Sequence, residues 1–174
     1  IHSSIPHHDA NVPKYPFDPK KAEALLDEMG LKRGADGVRA RVTMEQLPYG
    51  DVYVRAGEYI RQALGRVGIQ VTLRSADVAT WGDRVRNWDY DMTLQVLSQL
   101  GHPALGVSRL YISSNIRKGV LFSNVNGYSN PRIDELFDKA AVTVDPVEAQ
   151  KMYSEIQRIL DDDVPVAWLL ELDF

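Results

Sequence analysis

The side chains that could carry out acid–base chemistry are few and unevenly placed. The histidines are His2, His7, His8 and His102, and cysteine is absent, which excludes thiol catalysis and disulfide bonds. A histidine acting as general base in the ordered part of the chain would have to be His102, yet the chain contains no GxSxG elbow or HExxH helix. The sequence therefore predicts a protein that is not an enzyme. A hydrolase or transferase that uses His102 stays open as the alternative.

Two groups of residues invite a metal site. His2, His7 and His8 lie close together, but without further closely spaced ligands they are more typical of a solvated loop. The three aspartates of residues 161–163 end a predicted helix, where negative charge is mildly unfavourable. They also lack the alternating oxygen ligands of a calcium loop. We predict no metal site and no cofactor.

Length and composition predict one globular domain. The chain has 174 residues, of which 44% are hydrophobic and 25% charged, so a single domain spanning residues 1–174 can bury a core. Residues 1–16 contain three prolines and are predicted to be a lead-in segment. The net charge of −4 and the absence of a basic run argue against nucleic acid as a partner. Because the chain begins with Ile1 rather than Met, we expect a piece of a longer polypeptide.

The first half of the chain alternates strand and helix patterns. Apolar residues alternate over 41–47, take helical spacing over 51–67 and alternate again over 69–73, which predicts a parallel strand-helix-strand unit. A further helix at 77–87 and a strand at 90–97 follow. This order predicts the α/β class with an open sheet. Ligands of such sheets collect beyond the carboxyl ends of the strands, here after residues 47, 73 and 97.

Three helices are predicted to begin with one device, a capping side chain followed by proline. The pairs are residues 18–19, 130–131 and 145–146, and proline suits the first helical position because its φ is already fixed there. After the last helix, the apolar run 164–170 is typical of a strand buried on both faces. The final helix pair is therefore predicted to deliver a strand into the sheet.

Residues 98–126 form a long connection with no sustained period, and such segments are commonly functional. Ser98, Gln99 and His102 follow the third predicted strand and are candidate ligand-binding residues of a cleft. An ordinary polar loop is the alternative interpretation.

Several motifs occur together in one order. They are FDPKKAEALLDEMGLKRGADGV after Tyr15, IRQALGRVGI at 60–69, WDYDM ending at Met92, GYSNPRIDELFDKA, and MYSEIQRILDDDVPVAWL. Their order and spacing resemble the large C-terminal lobe of the family 5 extracellular solute-binding proteins. These are the binding components of ABC transporters for oligopeptides, dipeptides, nickel and related ligands, and the resemblance covers nearly the whole chain.

The resemblance implies one lobe of a type II periplasmic-binding-protein fold, an open mixed sheet flanked by helices. Two such lobes close on a ligand through a hinge, so the partners it implies are a small solute, the missing lobe of the same chain and an ABC permease in the membrane. It further implies a periplasmic or extracytoplasmic location, with a lipid anchor as an option in the full-length protein.

The resemblance also concerns individual site residues. Trp81 matches the position where oligopeptide-binding members place a tryptophan against ligand side chains. Its spacing with Val85 equally suits the core of a helix, and both interpretations stay open.

The loop after the third strand departs from the pattern of the resembled family. Peptide binders carry a tryptophan and an aspartate there, the aspartate pairing with the α-amino group of the peptide. This chain has Leu97, Leu100, Gly101 and His102 instead. Losing that charge-assisted hydrogen bond costs an ammonium group about 1.5–3 kcal/mol. The ligand is thus left open as a peptide, an opine, a sugar or a metal complex. Besides a ligand-binding lobe and an enzyme, a protein interaction module is a third possible function of the chain.

Overall fold

The computed structural model describes residues 1–171. They form two compact units. Residues 15–96 make up the first, which we call the sheet unit, and residues 1–14 together with the residues from 97 onward make up the second, the helical unit. The expectation of a single domain over 1–174 stays a prediction.

The sheet unit contains a small parallel sheet. Its elements are α1 (Pro19–Glu28), β1 (Ala40–Glu45), α2 (Asp51–Arg66), β2 (Ile69–Arg74), α3 (Val78–Arg86) and β3 (Met92–Thr93). The strand order is β2-β1-β3, and both pairings are parallel. The predicted α/β class is confirmed. Residues 1–171 contain no antiparallel pairing, which the expected mixed sheet would require.

The sheet unit buries apolar side chains from both its strands and its helices. Met44 of β1, Val71 of β2 and Val85 of α3 are buried, as the apolar spacing predicts. The prediction of a strand over 90–97 needs correction, because this strand is only two residues long. Leu25 of α1 and Met29, which caps its C-terminus, are exposed. Periodicity marks an apolar face, but a neighbouring element has to be present to cover it.

The helical unit is built around a pair of long helices. Its elements are α4 (Pro103–Gly106), two short 3₁₀ turns (Ser108–Leu110 and Ser113–Asn115), α5 (Pro131–Val142) and α6 (Pro146–Asp163). Their core consists of residues from α5, α6 and the first 3₁₀ turn, among them Ile133, Leu136, Phe137, Tyr153, Ile156 and Leu110.

The three predicted cap-plus-proline starts are confirmed. Asp18 accepts a hydrogen bond from the Lys21 amide at 2.9 Å, and Asn130 accepts one from the Arg132 amide at 3.0 Å. Asp145 accepts from the amides of residues 147 and 148 at 2.8 and 3.3 Å. Each cap occupies backbone donors that the first turn leaves without a partner. The helix starts were therefore predictable from local sequence.

The strand predicted over 164–170 is wrong. The helical unit contains no strand within its described residues, so the segment has no ladder to join. Val164 adopts a left-handed conformation with φ 43°, and Trp168 is 50% exposed. The Trp168 indole donates to the Tyr111 hydroxyl at 3.0 Å, which anchors the segment to the helical unit. An apolar run supplies the side chains of a buried strand, but its backbone needs a partner strand.

The lead-in segment docks on α6. The Gln157 amide group donates to the His7 carbonyl oxygen at 2.9 Å, and its oxygen accepts from the Asp9 amide at 3.1 Å. The amide of Asn11 holds the pKa of the buried Asp9 carboxyl below its usual range, and Arg158 lies 3.4 Å from the same carboxylate. Tertiary contacts thus order the first residues of the chain.

No helix in residues 1–171 has both the length and the apolar composition needed to cross a bilayer.

Candidate ligand-binding site

The loop after the sheet unit contains a tight turn at residues 99–102. The His102 amide donates to the Gln99 carbonyl at 3.3 Å, and the two central residues, Leu100 and Gly101, have φ values of 52° and 74°. Two successive positive φ values characterise a type I′ turn, in which asparagine and glycine are preferred. Leucine therefore occupies a backbone conformation that is unfavourable for it.

Four contacts hold this turn in place. The backbone amide of His2 donates to the Gln99 side-chain oxygen at 2.8 Å, and an Arg109 Nη donates to the Ser98 carbonyl at 3.1 Å. Gly106 approaches the Gln99 backbone so closely that a Cβ at this position would overlap it. His102 supplies the fourth contact. A strained turn persists when several contacts hold its backbone in place, as these four contacts do.

His102 is the N-cap of α4. Its Nδ1 accepts from the Ala104 amide at 3.2 Å, so a neutral ring carries its proton on Nε2. The ring also packs edge-on against Tyr153, with centroids 5.9 Å apart, and against His7 at 5.7 Å. Sequence reasoning missed this cap, although the His102–Pro103 pair repeats the start device of the other helices. His102 thus has a structural role in the turn, independent of any role in ligand binding.

The Tyr153 ring packs against both of these histidine rings. Tyr153 is fully buried, and its hydroxyl has no hydrogen-bond partner within residues 1–171. Burial raises the pKa of this hydroxyl. The His7 ring stacks on the tyrosine with centroids 4.7 Å apart, and the His7 Nδ1 contacts the Gln150 side chain at 3.2 Å.

The predicted site residues fall in different units. Gln99 and His102 lie in the turn of the helical unit and are half-buried, and the exposed Ser98 directly precedes it. Trp81 belongs to the sheet unit, where it is 1% exposed and its indole nitrogen has no acceptor within the described residues. The Tyr49 ring covers it at a centroid distance of 5.9 Å. Whether any of the four binds ligand stays a prediction.

The carboxyl ends of β1 and β2 hold an ion-pair network that sequence reasoning missed. Glu45 ends β1 and is fully buried, and its carboxylate bonds to Arg74, which ends β2. Arg84 of α3 lies 3.2 Å from the other carboxylate oxygen, and Arg74 also pairs with Asp89. The hydrogen bond to Glu45 raises the pKa of Arg74. A charged residue at the last position of each strand was the available signal.

The polar edge continues at Gln46 and Ser75, the residues that directly follow β1 and β2. The Ser75 hydroxyl donates to the Gln46 side-chain oxygen at 2.5 Å, and the Gln46 amide group donates to the Val54 carbonyl at 3.3 Å. These groups satisfy one another. They extend the ion-pair network with hydrogen bonds between neighbouring polar side chains.

The histidines of the lead-in segment have partners other than a metal. His2 bonds through Nδ1 to Ser4, and His8 through Nδ1 to the Ile1 carbonyl. Within residues 1–171, no three histidine, aspartate or glutamate side chains come together in a way that could hold a metal ion.

Replacing Leu100 by asparagine is expected to raise the free energy of unfolding by up to about 1 kcal/mol. Asparagine tolerates the left-handed conformation, and Leu100 is 57% exposed, so little packing is lost. Urea unfolding followed by circular dichroism measures the change. Leu105→Asn is the control, because Leu105 is equally exposed but lies in a helix with ordinary φ. If the Leu100→Asn variant is less stable than the wild type, the inference that Leu100 is strained is wrong.

Comparison with known proteins identifies the family. Residues 1–117 match the model described as "Bacterial extracellular solute-binding proteins, family 5 Middle". Protein XP55 of Streptomyces lividans is 32% identical over 166 residues, which cover 91% of this chain and 29% of that protein. The chain spans about 30% of the length of the curated relatives it matches.

Solved structures share the fold. The oligopeptide-binding protein AppA of Bacillus subtilis, in complex with a nonapeptide, superposes with a TM-score of 0.75 at 26% identity, covering 90% of this chain and 32% of AppA. NikZ of Campylobacter jejuni, in complex with Ni(L-His), superposes with a TM-score of 0.82 at 20% identity, covering 91% of this chain and 33% of NikZ. The chain accordingly has the fold of about a third of a type II periplasmic binding protein. It belongs to the bacterial extracellular solute-binding proteins of family 5.

Proposed function

We propose that this chain forms one lobe of the ligand cleft of an ABC transporter substrate-binding protein. The turn at 99–102 carries the proposal. It combines exposed and half-buried polar side chains with a backbone conformation that four contacts maintain. Holding a loop rigid before the ligand arrives reduces the entropy lost on binding. The grip on the ligand is then completed by a facing lobe supplied by another part of the polypeptide.

The proposed ligand is a small solute, and a peptide is the first candidate. AppA is named as an oligopeptide-binding protein and was solved with a nonapeptide, whereas NikZ was solved with a nickel complex. An opine, a sugar or a metal complex is the alternative. No Asp or Glu occurs between residues 97 and 112, so a ligand ammonium group has no carboxylate partner within this loop.

The proposed setting follows from the family. Its members are extracellular solute-binding proteins by description. We infer that the parent protein is extracytoplasmic, that it delivers solute to an ABC permease, and that a lipid anchor is compatible with this role. The enzyme alternative is less favoured, because within residues 1–171 no carboxylate or hydroxyl nucleophile bonds to the His102 ring.

Titration followed by ¹H–¹⁵N NMR tests the proposal on the 174-residue chain. The probes are tetra-alanine, octopine, maltotriose and Ni(II)–histidine. We expect one of them to shift the amide signals of Ser98, Gln99 and His102, with a dissociation constant weaker than about 1 mM because one wall of the cleft is contributed elsewhere. Micromolar binding to this chain alone would contradict the shared cleft. Conversion of a probe, lost in His102→Ala, would favour the enzyme.

A further inference from the structure

Arg109 is an unusual cation among the described residues. Four arginines have no ion pair within residues 1–171, and three of them, Arg55, Arg66 and Arg117, are exposed. Arg109 is the only half-buried one. A guanidinium withdrawn from water without a counter-ion is unfavourable, and proteins seldom retain one without a partner.

The guanidinium of Arg109 also has unused donors. One Nη donates to the Ser98 carbonyl at 3.1 Å, whereas Nε is buried without an acceptor within the described residues. The remaining Nη has no acceptor there either, and it is not among the buried atoms, so it reaches the surface. The group is thus held at the candidate turn by one hydrogen bond, and its second Nη keeps some exposure to solvent.

The adjoining sequence favours an anion. Residues 97–112 contain no acidic side chain, and Arg109 is their only arginine or lysine. The guanidinium geometry suits bidentate binding of a carboxylate. We propose that Arg109 binds a carboxylate of the ligand beside the turn at 99–102, so that the solute is recognised by an anionic end rather than by an ammonium group. This inference rests on the proposed function and names the chemical class of its ligand.

Four forms of tetra-alanine test the inference, combining a free or acetylated amino end with a free or amidated carboxyl end. NMR titration of the 174-residue chain should show that amidation weakens binding about tenfold to hundredfold, because a charge-assisted hydrogen bond is lost. Acetylation should change the affinity little. In Arg109→Gln, the acid and amide forms should bind equally weakly.

Arg117→Gln is the matched control, because Arg117 is an exposed arginine of the same unit that has no ion pair with any residue the structure describes. It should keep the wild-type preference for the free carboxylate. Arg109→Lys tests the fold, since it preserves the charge; its circular dichroism should match that of the wild type. Equal binding of acid and amide by the wild type would overturn the inference while leaving the proposed function intact. Failure of all four peptides to bind would overturn the peptide ligand and the inference with it.

Discussion

Replacing Glu45 by alanine is expected to lower the free energy of unfolding by about 3–5 kcal/mol. Glu45 is fully buried at the end of the central strand, and its carboxylate is the shared partner of Arg74 and Arg84. Removing it leaves two partly buried guanidinium groups without their common counter-ion. Urea unfolding followed by tryptophan fluorescence measures the loss, because the buried Trp81 lies in the same unit.

Glu58→Ala is the matched control for Glu45. Glu58 pairs with Arg61 one helical turn away at 2.8 Å, but both side chains are about half exposed. Such surface pairs contribute less than about 1 kcal/mol, so we expect this variant to unfold close to the wild type. Equal losses in the two variants would show that burial of the Glu45 carboxylate has no special role in the stability of the sheet unit.

Replacing Gly106 by alanine is expected to cost about 3 kcal/mol and to displace the turn at 99–102. The added Cβ would overlap the carbonyl carbon, the carbonyl oxygen and the Cα of Gln99. Backbone atoms cannot rotate out of the way as a side chain can, so the loop itself has to move. Because the His2 amide donates to the Gln99 side chain, its hydrogen exchange should accelerate. Urea unfolding and NMR measure the two effects.

Gly65→Ala separates this steric effect from the general effect of removing glycine. Gly65 lies in α2, has no positive φ, and a Cβ there would meet nothing within 4 Å. Alanine should therefore stabilise the chain by about 0.5–1 kcal/mol through its higher helix propensity. A Gly106 variant as stable as the wild type, with unchanged amide signals for residues 98–102, would rule out the close packing of α4 against the turn.

The turn shows why candidate site residues were only partly predictable. Sequence reasoning selected Ser98, Gln99 and His102 because they follow the last predicted strand, and the structure places Gln99 and His102 in one turn that directly follows Ser98. It missed that His102 caps α4, a local role that the His102–Pro103 pair could have indicated. It could not show that Gln99 bonds to the lead-in segment 97 residues away in sequence, because that role depends on a contact between distant parts of the chain.

Arg109 and Glu45 illustrate the same limit for charge. In the sequence each is an ordinary charged residue, and nothing around it indicates burial. Glu45 has two arginine partners, 29 and 39 residues along the chain, whereas Arg109 has no ion-pair partner within the described residues. Only the tertiary structure distinguishes a neutralised charge from one available to a ligand.

The sequence by itself determined the features that depend only on residues close together in the chain. Capping by Asp18, Asn130 and Asp145 began three helices where predicted, and the alternation of apolar residues placed β1 and β2. The family resemblance was confirmed as well.

Tertiary structure decided the features that need a distant partner. The apolar run 164–170 has the composition of a buried strand, yet it stays irregular and largely exposed because its unit offers no strand to pair with among residues 1–171. The strained Leu100 is held by residues from both sides of the turn and from the lead-in segment. Local propensity acts through the nearest residues, whereas burial, pairing and strain are set by contacts that exist only once the chain has folded.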